Sequence, residues 1–241
     1  LTGIMDCPLL NKNGPHLEKR LSTLREHAVK TNKKWAKLLG IEPAAAITCV
    51  KPSGTVSQLT NSASGIHPRH SQYYIRTVRA DNKDPLTKFM RQADVFNEPD
   101  VMSPEHNTVF SFPIKYSNKA VFRKDLSAVE HMELWLTYSE HWCEHKPSIT
   151  ISVKEHEWMD VGAWCYAHFD QLSGISFLPY SDHSYRQAPY QECTKEEYEE
   201  LYKNTPKTID WDKLNEFETE DNTKASQELA CTAGVCEIVD I

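Results

Sequence analysis

Long apolar runs are missing from this sequence: none approaches the roughly 18 residues of a membrane-spanning helix, and the mean hydropathy is -0.58. That argues against an integral membrane protein with spanning helices. An excess of positive charge is missing as well. The net charge is -7 and the pI about 5.9, so sequence-independent binding to nucleic acid has no electrostatic support. A pocket for one nucleotide-sized anion needs only local donors and stays open. The first residues, LTGIMDCPLL, contain no initiator methionine and no apolar signal-peptide core, and they read as a piece of a longer chain. Internal repeats are absent too. Nor do the seven cysteines make a secreted disulfide scaffold, because their number is odd and all but one pair are scattered. That usage points to a cytoplasmic protein with mostly reduced thiols.

What is present is ordinary globular material: 241 residues, 39% hydrophobic and 25% charged, enough for one large domain or two small ones. Pro15 opens a helical pattern (Leu17, Leu21, Leu24, Ala28) that runs through Trp35 and Leu38 to a stop signal at Gly40. Ile47–Val50, between Pro43 and Pro52, reads as a short buried strand, followed by a turn into a short helix. Asp84-Pro85 starts a helix to about Ala93, and Thr108–Phe112 suggests a strand. Capping boxes at Ser127/Glu130 and Thr194/Glu197 start two more helices. Ser148–Val153 alternates as a strand, Trp158–Cys165 is helical, and Gly174–Leu178 is a strand. Strands alternating with helices predict an α/β class with mainly parallel strands. From about Thr205 the chain turns polar and acidic, the composition of a mobile tail.

Three groups of residues invite a chemical reading. In Lys51-Pro52-Ser53-Gly54-Thr55-Val56-Ser57-Gln58 a predicted strand turns into a helix start, where unpaired amides and three hydroxyls meet at a glycine. Such a turn either binds an anion through backbone N–H groups or is an ordinary N-capped helix with Ser53 as its cap. The spacing of a Walker loop is absent. In Cys231-Thr232-Ala233-Gly234-Val235-Cys236 two thiols close in sequence can form an intramolecular disulfide and exchange it with other thiols, or they are incidental. A zinc pair is disfavoured because no second Cys/His pair lies nearby. In His141-Trp142-Cys143-Glu144-His145 two histidines stand four apart, but Pro147 ends the helix and no HExxH pattern is present. A polar helix end is the better reading there, and no metal site is assigned. His67 and His70 read as loop residues near the candidate anion site.

The stretch ITCVKPSGTVSQLTNSASGIHPRHSQYYIRTVR, Ile47 to Arg79, resembles the substrate-phosphate loop region of ribonucleotide reductases. It is most similar to the adenosylcobalamin-dependent (class II) ribonucleoside-triphosphate reductases. Asp84-Pro85-Leu86, His145–Ile151, Ser176–Tyr180, Gln187-Ala188-Pro189-Tyr190 and the terminal cysteine pair continue the resemblance in order along nearly the whole chain. It implies an α/β fold, the C-terminal part of the ten-stranded α/β barrel of these enzymes over residues 1–204, with a polar tail over 205–241. It implies that Pro52, Ser53, Gly54, Thr55, Val56 and Ser57 hold substrate phosphates. Cys231 and Cys236 become the shuttle dithiol that re-reduces the active-site disulfide and is itself reduced by thioredoxin.

The same resemblance implies a ribonucleotide substrate, adenosylcobalamin as cofactor and a thiyl-radical mechanism. The family's radical cysteine and its partners fall upstream of this chain, so the chain would be a fragment or split half that is inactive without the upstream part. Cys7, Cys49, Cys143, Cys165 and Cys193 match none of those positions. Class I enzymes, which need a metal-radical subunit, carry an adjacent tyrosine pair where this chain has Gly174–Tyr180 without one. That departure favours cobalamin. Two alternatives remain: a class I-type large subunit, and a non-catalytic nucleotide-binding module. The resemblance fixes neither diphosphate against triphosphate preference nor the residues that touch the corrin.

Overall fold

The structure, a computed structural model, describes residues 1–116, 119–180 and 185–219. In chain order the elements are α1 (Pro15–Leu39), α2 (Val56–Leu59), β1 (Tyr73–Asp81), α3 (Pro85–Gln92), β2 (Asn97–Pro99) and β3 (Asn107–Lys115). There follow α4 (Ala128–His141), β4 (Ser148–Val153), α5 (Trp158–Ala167), β5 (Gly174–Pro179), β6 (Tyr190–Glu192) and α6 (Lys195–Asn204). They fall into two units, Leu1–Gln72 with Tyr116–Asp182, and Tyr73–Lys115 with His183–Ile241. Among the described residues no helix is long and apolar enough to cross a membrane.

The helix boundaries follow local chemistry. The Asp84 carboxylate accepts the Leu86 amide at 2.8 Å and starts α3. Ser127 and Glu130 complete their reciprocal box at 3.2 and 2.9 Å and start α4. Thr194 and Glu197 do the same for α6 at 3.2 and 2.7 Å.

In the first unit α1 packs along α4, and α4 packs on β4 and α5. Strand β4 alternates, with Ile149, Ile151 and Val153 buried and Ser148, Thr150 and Ser152 only partly covered. The buried set joins Ile4, Met5, Leu17, Leu21, Met132, Trp135 and Tyr138 in one core. Strand β5 pairs with β4 in parallel, Thr150 opposite Ser176. These two strands are what the described residues contribute to a parallel sheet.

The second unit is antiparallel throughout, in the order β2-β3-β1-β6. The α/β class therefore stands, but the expectation of mainly parallel strands does not. The difference comes from β1, whose burial does not alternate with period two and whose sequence therefore carries no strand signal. Once present, β1 returns against β3 along nine residue pairs, Tyr73↔Lys115 to Asp81↔Asn107. Gln187, 2% exposed, braces this unit: its Nε2 donates to Glu98 and to the Pro99 carbonyl, both at 2.8 Å, and its Oε1 accepts the Val101 amide at 2.9 Å. Past Thr205, Trp211 meets Phe89 of α3 at a tilt and Phe217 meets it edge-on.

Ile47–Val50 is not a strand. Its polar groups bond to the loop after α4 instead of a ladder: the Thr48 carbonyl accepts the Glu144 amide at 2.8 Å and the Val50 carbonyl accepts the Ser148 amide at 3.1 Å. The Glu144 carboxylate accepts the Ile47 and Thr48 amides and the Thr48 hydroxyl.

A buried ion pair organises the first unit. Arg69, 7% exposed, meets Asp6 through two parallel bonds of 2.6 and 2.7 Å. Replacing Asp6 by alanine would leave the guanidinium buried without its partner, and breaking a buried pair in this way costs on the order of 3 kcal/mol. We expect the Asp6→Ala chain to unfold at a clearly lower urea concentration than the parent. An unchanged midpoint would mean that the pair carries little of the unit's stability.

Candidate functional site

The predicted anion turn is a real turn. Lys51–Ser53 has no regular secondary structure, Gly54 adopts φ +56°, and the four-residue helix α2 follows from Thr55. Gly54 can take this left-handed backbone without a Cβ penalty, and the space beside it is open. The Val56 amide donates to the Ser53 carbonyl at 3.2 Å. The amides of Gly54 and Thr55 have no acceptor among the described residues, and both residues are exposed. Two N–H groups without an internal acceptor thus lie in a tight turn beside the Thr55 hydroxyl, while the Ser53 hydroxyl donates its proton to Ser64; such a donor set suits a phosphate. Pro52 has no N–H and serves by stiffening the approach.

Val56 and Ser57 are placed differently from their neighbours. The Val56 side chain is 57% exposed and apolar. Ser57 is 1% exposed, and its hydroxyl is buried with no hydrogen-bond partner. An unsatisfied buried hydroxyl costs about 1–3 kcal/mol, a penalty carried at the foot of this turn.

A second loop, Ser62–His67, supports the first. The Ser64 hydroxyl oxygen accepts both the Ser53 amide at 2.9 Å and the Ser53 hydroxyl at 3.1 Å. The Ser62 amide donates to the Ser57 carbonyl at 2.9 Å. Gly65, also at φ +56°, lies so close to Lys51 that a Cβ would stand 2.7 Å from the Lys51 carbonyl oxygen. The Lys51 ammonium reaches the Ser148 hydroxyl at 2.8 Å. This supporting loop was not singled out in the sequence; its serines and glycine at Ser62, Ser64 and Gly65 were the available signal.

The histidines hold the arrangement from below. His67 bonds the Ser64 carbonyl through Nδ1 at 2.9 Å and the Thr150 amide through Nε2 at 3.0 Å. His131, 4% exposed, bonds the Ile66 carbonyl through Nε2 at 2.9 Å. Burial pushes the pKa of His67 down and that of His131 down to about 4; for His70 burial, then the nearby Arg123 charge, brings it to about 4.

His141 contacts Ser22 at 3.2 Å, and Glu144 braces Ile47 and Thr48, an amide bond from Ile47 holding its carboxyl below the usual range. Among the described residues no group of three or more His, Cys, Asp and Glu side chains is placed to hold a metal ion. Burial raises the thiol pKa of Cys143 and Cys193 to about 11, so both stay protonated and weakly nucleophilic near neutrality. Cys231 and Cys236 lie outside the described residues.

No protein-family profile matches the chain. It is similar to the adenosylcobalamin-dependent ribonucleoside-triphosphate reductase of Euglena gracilis, 28% identical over 82% of this chain and 27% of the relative. The protein of that name from Lactobacillus gasseri is 25% identical over 93% of this chain and 30% of the relative. A probable reductase of the same kind from Dictyostelium discoideum is 29% identical over 86% and 27%. The chain thus spans about three tenths of the length of the curated relatives it matches. A crystal structure of a B12-dependent (class II) ribonucleotide reductase superposes with a TM-score of 0.74 at 24% identity, covering 87% of this chain and 30% of that one. The fold is that of part of such a reductase, in keeping with the resemblance read from the sequence.

Two outcomes test the site's construction. Gly54→Ala should cost about 1 kcal/mol, the penalty of a left-handed backbone alone, whereas Gly65→Ala must also displace Lys51 and should lower the melting temperature further. Equal losses would mean that the Lys51 segment yields freely. For pH, an unfolded histidine binds its proton near 6.5, while folded His70 and His131 bind only near 4. Between those values the unfolded chain holds more protons, so stability falls as pH is lowered through that window. Equilibrium unfolding at pH 7 and pH 5 should show this loss, and His131→Gln should reduce it; an unreduced loss would assign it to other groups.

Proposed function

We propose that this chain supplies the substrate-phosphate loop and the reductant-handling cysteines of an adenosylcobalamin-dependent ribonucleotide reductase that acts on triphosphates. The observation that supports this most strongly is the similarity over 82% and 93% of the chain to proteins of that name. The turn at Ser53–Thr55 agrees with it, because two amides without an internal acceptor and the Thr55 hydroxyl at an open glycine suit the oxygens of a phosphate chain.

In the proposed reaction a ribonucleoside triphosphate and a dithiol give the 2′-deoxyribonucleotide, a disulfide and water. Adenosylcobalamin, when bound, supplies the radical that is passed on to a cysteine as a thiyl; no residue described here is assigned to the corrin, and no step of this chain runs through it. Gly54 and Thr55 hold the phosphates, with Ser53 anchoring the turn to Ser64 and Pro52 stiffening it. Val56 and Ser57 complete the loop as its wall and foot. Cys231 and Cys236 then reduce the active-site disulfide: two thiols become one disulfide as that disulfide becomes two thiols, and the dithiol of thioredoxin, itself oxidised to a disulfide, returns Cys231 and Cys236 to thiols. The upstream part of the enzyme provides the radical cysteine, so this chain is inactive by itself. A thioredoxin-fed reductase of this kind works in the cytoplasm.

The test is reduction of CTP to dCTP by the chain together with the remainder of the reductase. Product that requires adenosylcobalamin is the expected result. Product only after a metal-radical subunit is added would move the chain to a class I enzyme, and no product under either condition would leave a nucleotide-binding module. Changing Cys231 and Cys236 to serine should abolish turnover with thioredoxin and spare turnover with dithiothreitol; equal loss with both reductants would remove the shuttle role.

A further inference from the structure

The phosphate turn does not stand on its own hydrogen bonds. Ser53, the residue before its glycine, is anchored through both its amide and its hydroxyl to one oxygen, that of Ser64. Ser64 is in turn held at its carbonyl by the ring of His67 at 2.9 Å. The other ring nitrogen of His67 meets the Thr150 amide at 3.0 Å. Thr150 belongs to β4, and its hydroxyl bonds Ser176 of β5 at 3.0 Å. A continuous path therefore runs from the parallel strand pair, through one imidazole, to the turn.

The protonation of that imidazole is fixed by its partners. A backbone amide can only donate, so Nε2 of His67 carries a lone pair towards Thr150. A backbone carbonyl can only accept, so Nδ1 carries the hydrogen towards Ser64. The ring is thus the neutral Nδ1–H tautomer, and burial, which lowers its pKa, acts in the same sense. His131 stands edge-on to it at 6.3 Å and holds the next carbonyl but one, that of Ile66. Two carbonyls of the supporting loop are therefore held by imidazole rings.

We propose that His67 is the positioning residue of the phosphate turn: bridging Thr150 and Ser64, it fixes the Ser64 hydroxyl on which Ser53 rests, and so sets the grip of Ser53–Thr55 on the substrate's phosphates. The inference rests on the reading of that turn as the phosphate site. His67 does not touch the substrate. It acts through Ser64 and Ser53, so it should govern affinity for the phosphate chain and leave the chemical step alone.

The experiment compares His67→Ala, His67→Gln, Ser64→Ala and Gly54→Val in the complete cobalamin-loaded reductase, with CTP as the varied substrate. We expect His67→Ala to raise KM about tenfold, the equivalent of about 1.4 kcal/mol, with kcat within a factor of about two, and Ser64→Ala to do the same. His67→Gln should restore most of the loss, since a carboxamide also offers one donor and one acceptor. A raised KM in Gly54→Val with His67→Ala and Ser64→Ala unchanged would overturn the role of His67 and leave the phosphate turn standing. An unchanged KM in Gly54→Val would instead overturn the reading of the turn itself. Should His67→Ala fail to fold, Ser64→Ala decides by the same criterion. Independently of activity, a long-range nitrogen–proton NMR spectrum of the chain should show His67 as the Nδ1–H tautomer, and an Nε2–H tautomer would overturn the path.

Discussion

The first unit hangs on the pair between Arg69 and Asp6. A guanidinium buried to 7% exposure must find partners for its donors, and here Asp6 takes two of them while the Asn61 carbonyl takes another at 2.7 Å. Its face lies over the Tyr116 ring, 3.3 Å from the centroid. Asp6 spends its second oxygen twice, accepting the Ala63 amide at 2.7 Å as well. The backbone of Arg69 is bonded on both sides, its amide to the Val121 carbonyl and its carbonyl to the Arg123 amide. Three segments distant in sequence, around Asp6, Asn61–Arg69 and Val121–Arg123, are locked by one residue, through its side chain and its backbone. Both ends of the loop Ser62–His67 are thereby set before any of its own hydrogen bonds are considered.

That locking explains how a loop poor in apolar side chains can be rigid. Between Lys51 and His67 the large apolar residues Val56 and Leu59 are exposed, and only Ala63 and Ile66 reach the core. Hydrophobic burial cannot fix the backbone there. Hydrogen bonds to buried groups take over, and they are directional where burial is not. Serine at 53 and 64, glycine at 65 and histidine at 67 and 131 are all needed for that task, which is why this part of the chain is short of bulky residues.

The fold was legible where local chemistry decides it. Capping signals at Asp84, Ser127 and Thr194 placed three helix starts, and the alternation of Ser148–Val153 placed β4, because caps and period-two burial act within a few residues. Ile47–Val50 had the composition of a buried strand but found its partners in Glu144 and Ser148, nearly a hundred residues away. No local pattern carries that information. The direction of β1 was equally out of reach, since parallel and antiparallel pairing bury the same residues. At the site, the turn at Gly54 and its hydroxyls could be read from sequence, whereas the support from Ser64, Gly65 and His67 depends on contacts across the fold. The supporting residues were visible as letters and silent as chemistry.

The short helix α2 also settles which physical effect the turn relies on. A macrodipole builds up over several turns of aligned peptides, and α2 has only four residues. Its end cannot contribute much field. What remains is two individual N–H groups, at Gly54 and Thr55, and the Thr55 hydroxyl. Individual donors lose strength quickly with misalignment, so the turn depends on being held in one shape. The bonds from Ser64 to both polar groups of Ser53, the close approach of Gly65 to Lys51 and the lock at Arg69 all act on that shape. A site built this way places its specificity in the scaffold beneath it more than in the groups that would meet a ligand.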